Sequence, residues 1–341
     1  MICLASASYS HTGASSPEDK YQSLRTDRMA TRDLAIRVIF LIQTVVGILG
    51  NLSLLYHYVL FSFTRCRPRP TDLIVKNLIV ANILVLVSFG IHHTLSTFGW
   101  YNMFSDFGCK FFPYVRGVGR GVSIGMTCLL SVFQAITISP QNSRWTALKE
   151  KALKCLVPSL VLCWVLQILI NIMYPVVMGS TLNKNNITNR KSFEYCSAVR
   201  YEKTRNSLNT MLLTLPDVLY VGLMLWASIS MVFLLYQHKQ RVQHIHRTSV
   251  SSTSSPESTA TKTIFLLVCT FVYFNTLSSV FQIVLSVFDC PTWYLVNTSS
   301  VIALCFPAVS PFLLMSRDPR VSMVCFPCIR NIKCPHFMRI V

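Results

Sequence analysis

Acidic side chains are scarce in this chain: 13 Asp and Glu stand against 31 Lys and Arg in 341 residues. There is no paired-carboxylate motif, no Walker lysine and no metalloprotease helix, so no enzyme site and no resident cofactor or metal is expected. A channel or transporter would carry acids deep within its spans or show duplicated halves, and neither is visible. Charge of both signs is scarce, at 13% of residues, where soluble domains carry about 25%. Residues 1–33 also lack the apolar core of a cleaved signal peptide. The first membrane span is therefore expected to act as the targeting signal. That tail has no glycosylation sequon, and Met29 just before the first apolar run offers an alternative start; peptides upstream of Met29 in the mature protein would exclude it as the sole one.

What is present in excess is grease and positive charge. Hydrophobic residues make up 52% of the chain and the mean hydropathy is +0.48, which places it in a membrane. The formal net charge of +18 would suggest nucleic acid in a soluble chain. Here the basic residues lie mainly between apolar runs, as cytoplasmic loops do, so no nucleic-acid partner is expected. The 13 cysteines are too scattered for a zinc pattern or a compact disulfide framework. Most, such as Cys128, Cys163, Cys269 and Cys305, sit inside apolar runs and read as packing residues.

Seven apolar runs follow one another: Leu34 to Phe63, Leu73 to Leu95, Cys109 to Pro140, Leu156 to Val177, Thr210 to Tyr236, Ile264 to Phe288 and Trp293 to Met315. The expected fold is an all-α membrane bundle of seven transmembrane helices. A flexible extracellular tail of residues 1–33 precedes a receptor domain of residues 34–316, and a basic cytoplasmic tail of residues 317–341 follows it. Arg65, Arg67 and Arg69 mark the first loop as cytoplasmic, Arg144, Lys149, Lys151 and Lys154 the second, and Arg317, Arg320, Arg330, Lys333 and Arg339 the tail, so the N-terminus is expected outside. The polar loop 178–206 is net basic yet falls on the outer side, and loops of that length still translocate. It holds Asn186-Ile-Thr188, the one sequon on a long outward loop and hence the expected glycosylation site. Asn51 in the first span must face the bundle to be satisfied, which discards its sequon match; Asn77, Asn82 and Asn275 stand in other spans. Pro307 and Pro311 signal a kink in the seventh. His238 to Arg247 lacks supporting metal ligands and reads as a solvated helix extension, and Ser249 to Thr263 as a mobile loop open to kinases. Cys325 and Cys328, past the last span, read as palmitoylation sites or as plain thiols.

The third run carries the chemistry. About 30 residues at 1.5 Å each cover about 45 Å, a bilayer with its headgroups, and the run reads as a buried central helix. Beyond Lys110 only Arg116 and Arg120 are charged within it, on one face and about 10 to 17 Å below Cys109. That is the depth of a ligand cavity, and the pair is expected to attract an anionic or acceptor-rich ligand. Snorkelling, or pairing with an acid such as Asp217, is the alternative. The run Gly117-Val-Gly119-Arg-Gly121 reads as close helix packing. Cys109 and Cys196 share the oxidising side, and a disulfide between them would pin the outer loop across the bundle; Cys290 and Cys3 are the other candidates.

From Met29 to Arg320 the chain resembles the vomeronasal type-1 receptors, a pheromone-receptor branch of the seven-helix G-protein-coupled receptors. The matching phrases are Gln43-Thr-Val-Val-Gly-Ile-Leu-Gly-Asn51, Arg69-Pro-Thr-Asp72, Cys109-Lys-Phe111, Gly121-Val-Ser123, Cys128-Leu-Leu-Ser-Val-Phe-Gln-Ala-Ile-Thr-Ile-Ser-Pro140, Cys163-Trp-Val-Leu-Gln167, His238-Lys-Gln-Arg-Val-Gln-His-Ile-His246 and Phe306-Pro-Ala-Val-Ser-Pro-Phe312. The family also shows a sequon before its second outer cysteine, as Asn186 stands before Cys196. Three positions depart from the wider superfamily: Asn82 replaces an acid, so no sodium site is implied, Gln134 replaces the ionic arginine, and Phe306-Pro307 stands near the Asn-Pro motif. The branch often has a His-Arg pair where this chain has Arg116-Gly117. The resemblance implies a plasma-membrane receptor for a small volatile or steroid-like cue, coupled to an inhibitory-class heterotrimeric G protein through the inner ends around Gln134, Arg144 and Arg241. A bitter-taste-type receptor and a non-signalling multispan carrier are the rival readings.

Overall fold

The computed structural model describes residues 17–63, 70–97, 106–138, 143–180, 190–193, 196–199, 203–245, 256–287 and 293–317. Three of its helices open on a proline followed by acid. Helix α1 (Pro17–Phe63) begins Pro17-Glu-Asp, α2 (Pro70–Thr97) has Asp72 in its first turn, and α7 (Pro256–Val287) begins Pro256-Glu. Proline has no N–H to leave unpaired at a helix start, and an acidic residue in the first turn suits the positive end of the helix dipole. These start signals, rather than hydropathy, set where the helices begin.

The helices therefore outrun the apolar stretches that announce them. Residues 17–33, expected as part of a flexible tail, continue α1. The basic stretch from Arg144 to Lys154, expected as a loop, is the first half of α4 (Ser143–Asn171), and Ser258 to Thr263 belong to α7. Helix α6 (Lys203–Ile245) carries the expected extension through His238 and His244. Helices α3 (Asp106–Ile138) and α8 (Trp293–Arg317) follow the expected spans closely. Helix α4 stops at Asn171 because Pro175 offers no N–H to the Asn171 carbonyl and its ring crowds it. The Ile172 N–H falls back on the Leu169 carbonyl at 3.3 Å, and the chain restarts as the short α5 (Met173–Val177).

Between α5 and α6 lies a small antiparallel sheet in the order β1-β3-β2, formed by β1 (Met178–Ser180), β2 (Arg190–Phe193) and β3 (Cys196–Val199). Cys196 is paired with Ser180 on one side and Phe193 on the other. Strand β1 packs on α3, so the sheet caps one end of the bundle, called here the sheet end.

Among the described residues, six helices carry stretches long and apolar enough to cross a membrane, including Leu34–Leu60, Lys110–Thr137 and Leu295–Ser316; α7 contributes the shorter apolar stretch Cys269–Leu285. Together the seven long helices form a transmembrane bundle around α3. Residues 121–128 of α3 are all buried, as a central helix requires. Val122, Met126 and Leu130 of α3 meet Leu54, Ile74, Leu78, Phe271 and Phe306 in the main core. The Phe271 and Phe306 rings cross edge to face at 4.7 Å. The outer flanks of α1, α4 and α6 are apolar yet exposed, as with Leu49, Leu162, Trp226, Ile229 and Phe233. Such a surface is stable facing lipid chains rather than water.

Candidate functional site

Towards the sheet end, a cleft opens between α3, α4, α5 and α6. Helix α3 contributes Arg116, Gly117, Arg120 and Gly121, α4 contributes Gln167, Ile170 and Asn171, and Tyr174 and Asp217 come from α5 and α6. A four-residue spacing builds this wall. Gly117, Gly121 and Gly125 run down one face of α3, and Asn171, Gln167 and Cys163 run up the facing side of α4. A Cβ on each glycine would collide in turn with the Asn171 amide oxygen, the Gln167 amide oxygen and the Cys163 sulfur. The expected small-residue packing is thus present, and it lays two carboxamides directly on the α3 backbone. Asn171 in turn donates to the Gln167 carbonyl at 2.8 Å and to the Gln167 side-chain oxygen at 3.3 Å.

The two arginines occupy different electrostatic settings. Arg120 donates from Nη1 to Asp217 Oδ2 at 2.6 Å and from Nη2 to Ser279 Oγ at 2.9 Å, joining α3 to α6 and α7. The two side chains are only 16% and 9% exposed. At that burial neither charge is tolerable without the other, since losing one partner of such a pair costs about 3–5 kcal/mol. The pairing with Asp217, raised from the sequence as the alternative to a ligand contact, is therefore present for Arg120. Arg116 has no such acid among the described residues. Its guanidinium lies over the Phe89 ring at 5.1 Å, and Phe89 stacks on Phe40 at 5.9 Å. The ring face holds the cation electrostatically and leaves its N–H edge open to an acceptor. The cavity volume is about 30 Å³, room for about two waters, so a larger occupant must part the helices or displace side chains.

Below the cleft, the mid-span amides form a second polar layer. Asn82 donates to Ser310 Oγ at 2.9 Å and accepts from Ser123 Oγ at 2.6 Å, tying α2 to α8 and α3. Asn51 faces the bundle, as burial of an amide demands, and donates to the Gly47 and Pro307 carbonyls at 2.7 and 2.9 Å. Asn77 accepts from the Trp164 indole at 2.9 Å. With a neutral amide at position 82 and both its ends engaged, this layer works as interhelical glue.

The other residues singled out from sequence distribute as follows. Cys109 lies in the first turns of α3 and Cys196 in β3, with their side chains outside the described residues. Asn186, Cys3, Cys290, Cys325 and Cys328 lie outside them altogether. Gln134 is buried near the end of α3, and Arg144 and Arg241 sit at the start of α4 and near the end of α6, all at the end away from the sheet; the side chains of the two arginines are not among those described. Sequence reasoning missed Gln167, Asn171 and Tyr174. The available signal was the spacing of Cys163, Gln167 and Asn171 on one face of a span, matched to three glycines at the same interval in another.

The sequence profile of the vomeronasal organ pheromone receptor family matches residues 34–327. Among individual proteins, human vomeronasal type-1 receptor 4 is 51% identical over 87% of this chain and 99% of its own length. Human vomeronasal type-1 receptor 3 is 48% identical over 91% of this chain and 100% of its own length. The likeness extends to fish, where olfactory receptor class A-like protein 1 of Danio rerio is 28% identical over 84% of this chain and 91% of its own length.

Proposed function

The chain belongs to the vomeronasal organ pheromone receptor family, and on that premise we propose that it binds a small volatile or steroid-like cue and activates an inhibitory-class heterotrimeric G protein. It does so at the plasma membrane, with the N-terminus and the sheet end outside and the Gln134 end in the cytoplasm. The observation that carries the reading is the cleft. Two arginines one helical turn apart sit within the spans, against Gln167, Asn171 and Tyr174, at the end of the bundle a soluble ligand reaches first. Ionisable residues inside a span are costly and mark functional pathways by default.

The mechanism follows from what the cleft joins. Arg120, Asp217 and Ser279 link three helices whose other ends carry or border Gln134, Arg144 and Arg241. A ligand that favours one spacing of α3, α6 and α7 over another shifts the population of inner-end arrangements, and the G protein reads that shift. The test is nucleotide exchange on an inhibitory-class G protein in cells expressing the receptor, screened with sulfated steroids and urinary volatiles. Ligand-dependent exchange that pertussis toxin abolishes is the expected result. Solute flux without exchange, or exchange indifferent to the toxin, would overturn the receptor or the coupling assignment respectively.

A further inference from the structure

The cleft holds two cations and one acid, and its geometry separates their roles. Arg120 is engaged at both terminal nitrogens, by the Asp217 carboxylate at 2.6 Å and by Ser279 at 2.9 Å. Arg116, one turn nearer the sheet, has only an aromatic face beneath it among the described residues, at 5.1 Å. Its other cleft neighbours are the carboxamides of Gln167 and Asn171 and the Tyr174 ring, none of them a carboxylate. Among the described residues the site is therefore left with one uncompensated positive charge, and that charge is at Arg116.

We propose that Arg116 is the contact for a single anionic group on the ligand, and that Arg120 is a positioning residue that fixes α3 against α6 and α7 through Asp217 and Ser279 without touching the ligand. The inference rests on the receptor reading above and narrows it to monoanions: a sulfate or carboxylate on an apolar frame. Asp217 acts as a resident counter-ion for Arg120. It screens that arginine from the ligand and keeps the cleft from accumulating two cations that would favour a dianion. The planar guanidinium on Phe89 is oriented by the ring, so its N–H edge is available to a fork of acceptor oxygens. The neutral carboxamide of Gln167, whose Nε2 is buried without a partner among the described residues, supplies further donors in the same cleft without adding charge.

The test measures binding of estrone sulfate and of estrone to the full-length receptor purified in detergent, together with its unfolding temperature without ligand. Wild type should prefer the sulfate. Arg116→Gln should reduce that preference by at least about tenfold, the loss expected for a desolvated charge contact, with the unfolding temperature little changed. Arg120→Gln and Asp217→Asn should each lower the unfolding temperature while the sulfate-to-parent ratio is kept, and the exchange R120D/D217R should recover part of the lost stability. The proposal is overturned if wild type shows no preference for the sulfate. It is equally overturned if Arg116→Gln keeps the preference, or if Arg120→Gln abolishes it without moving the unfolding temperature. Sulfate binding that behaves as expected but triggers no nucleotide exchange would strike the signalling assignment alone.

Discussion

At Pro307 of α8 a backbone carbonyl has no helical donor, because Pro311, four residues on, carries no N–H. Asn51 of α1 supplies one at 2.9 Å, and the Ser310 hydroxyl adds a longer contact at 3.4 Å. This explains why a costly amide is kept in mid-span: it satisfies a backbone group that neither water nor helix can reach. Asn51→Leu should then destabilise the receptor by about 1–2 kcal/mol. Pro311→Ala should restore the intrahelical bond and make the amide redundant. The double variant N51L/P311A is accordingly expected to lose less stability than the two single losses combined, read as unfolding temperature in detergent. Strict additivity would show that Asn51 serves some other purpose. From sequence, Asn51 could be oriented toward the bundle, because burial of an amide demands it. Its partner could not be named, since 256 residues separate the two positions and only packing decides which carbonyl is adjacent.

Glycine placement governs how closely the elements approach. A Cβ on Gly47 would meet Leu86 and the Ala308 backbone, and one on Gly50 would meet Pro311 at 3.1 Å, so α1 lies tight against α8 and Asn51 can reach it. Gly119 faces the opposite side of α3 from Gly117 and Gly121. A Cβ there would stand 3.0 Å from both the Ala81 carbonyl oxygen and a Val85 methyl of α2. Backbone cannot swing aside as a side-chain tip can, so Gly119→Ala should cost about 1–3 kcal/mol by overpacking. Gly222 of α6 would meet nothing within 4 Å, and Gly222→Ala should be neutral or stabilising by up to about 1 kcal/mol, the helix-propensity gain. Unfolding temperatures ranked G119A below wild type, and wild type at or below G222A, would bear this out; the reverse order would mean that α2 and α3 are not in close contact. The glycine run was legible as packing, but not which helix each glycine meets. The 3.6-residue period assigns Gly117 and Gly121 to one face and Gly119 to another, and only the assembled bundle puts α4 beside the first and α2 beside the second.

For the whole molecule, the alternation of seven spans makes one end extracellular, and Asn186 falls in the sequence between β1 and β2, outside the described residues. Peptide-N-glycosidase should lower the apparent mass of receptor expressed in mammalian cells, and Asn186→Gln should remove that shift while leaving the seven-span insertion intact. An unglycosylated wild type, or a shift that survives Asn186→Gln, would contradict the assignment of that loop to the outside. The sequence by itself determined the number of spans, the buried central helix and the presence of two arginines on one face of it. Those follow from hydropathy and helical period, which are local properties. It left open what each arginine does, because both stand on the same face, with the same spacing and similar depth. The tertiary structure sets the two apart by bringing Asp217 and Ser279 to Arg120 and, among the described residues, the Phe89 ring to Arg116. Whether a buried charge is compensated depends on atoms a few ångströms away in space, and in this bundle those atoms come from helices far apart in the chain.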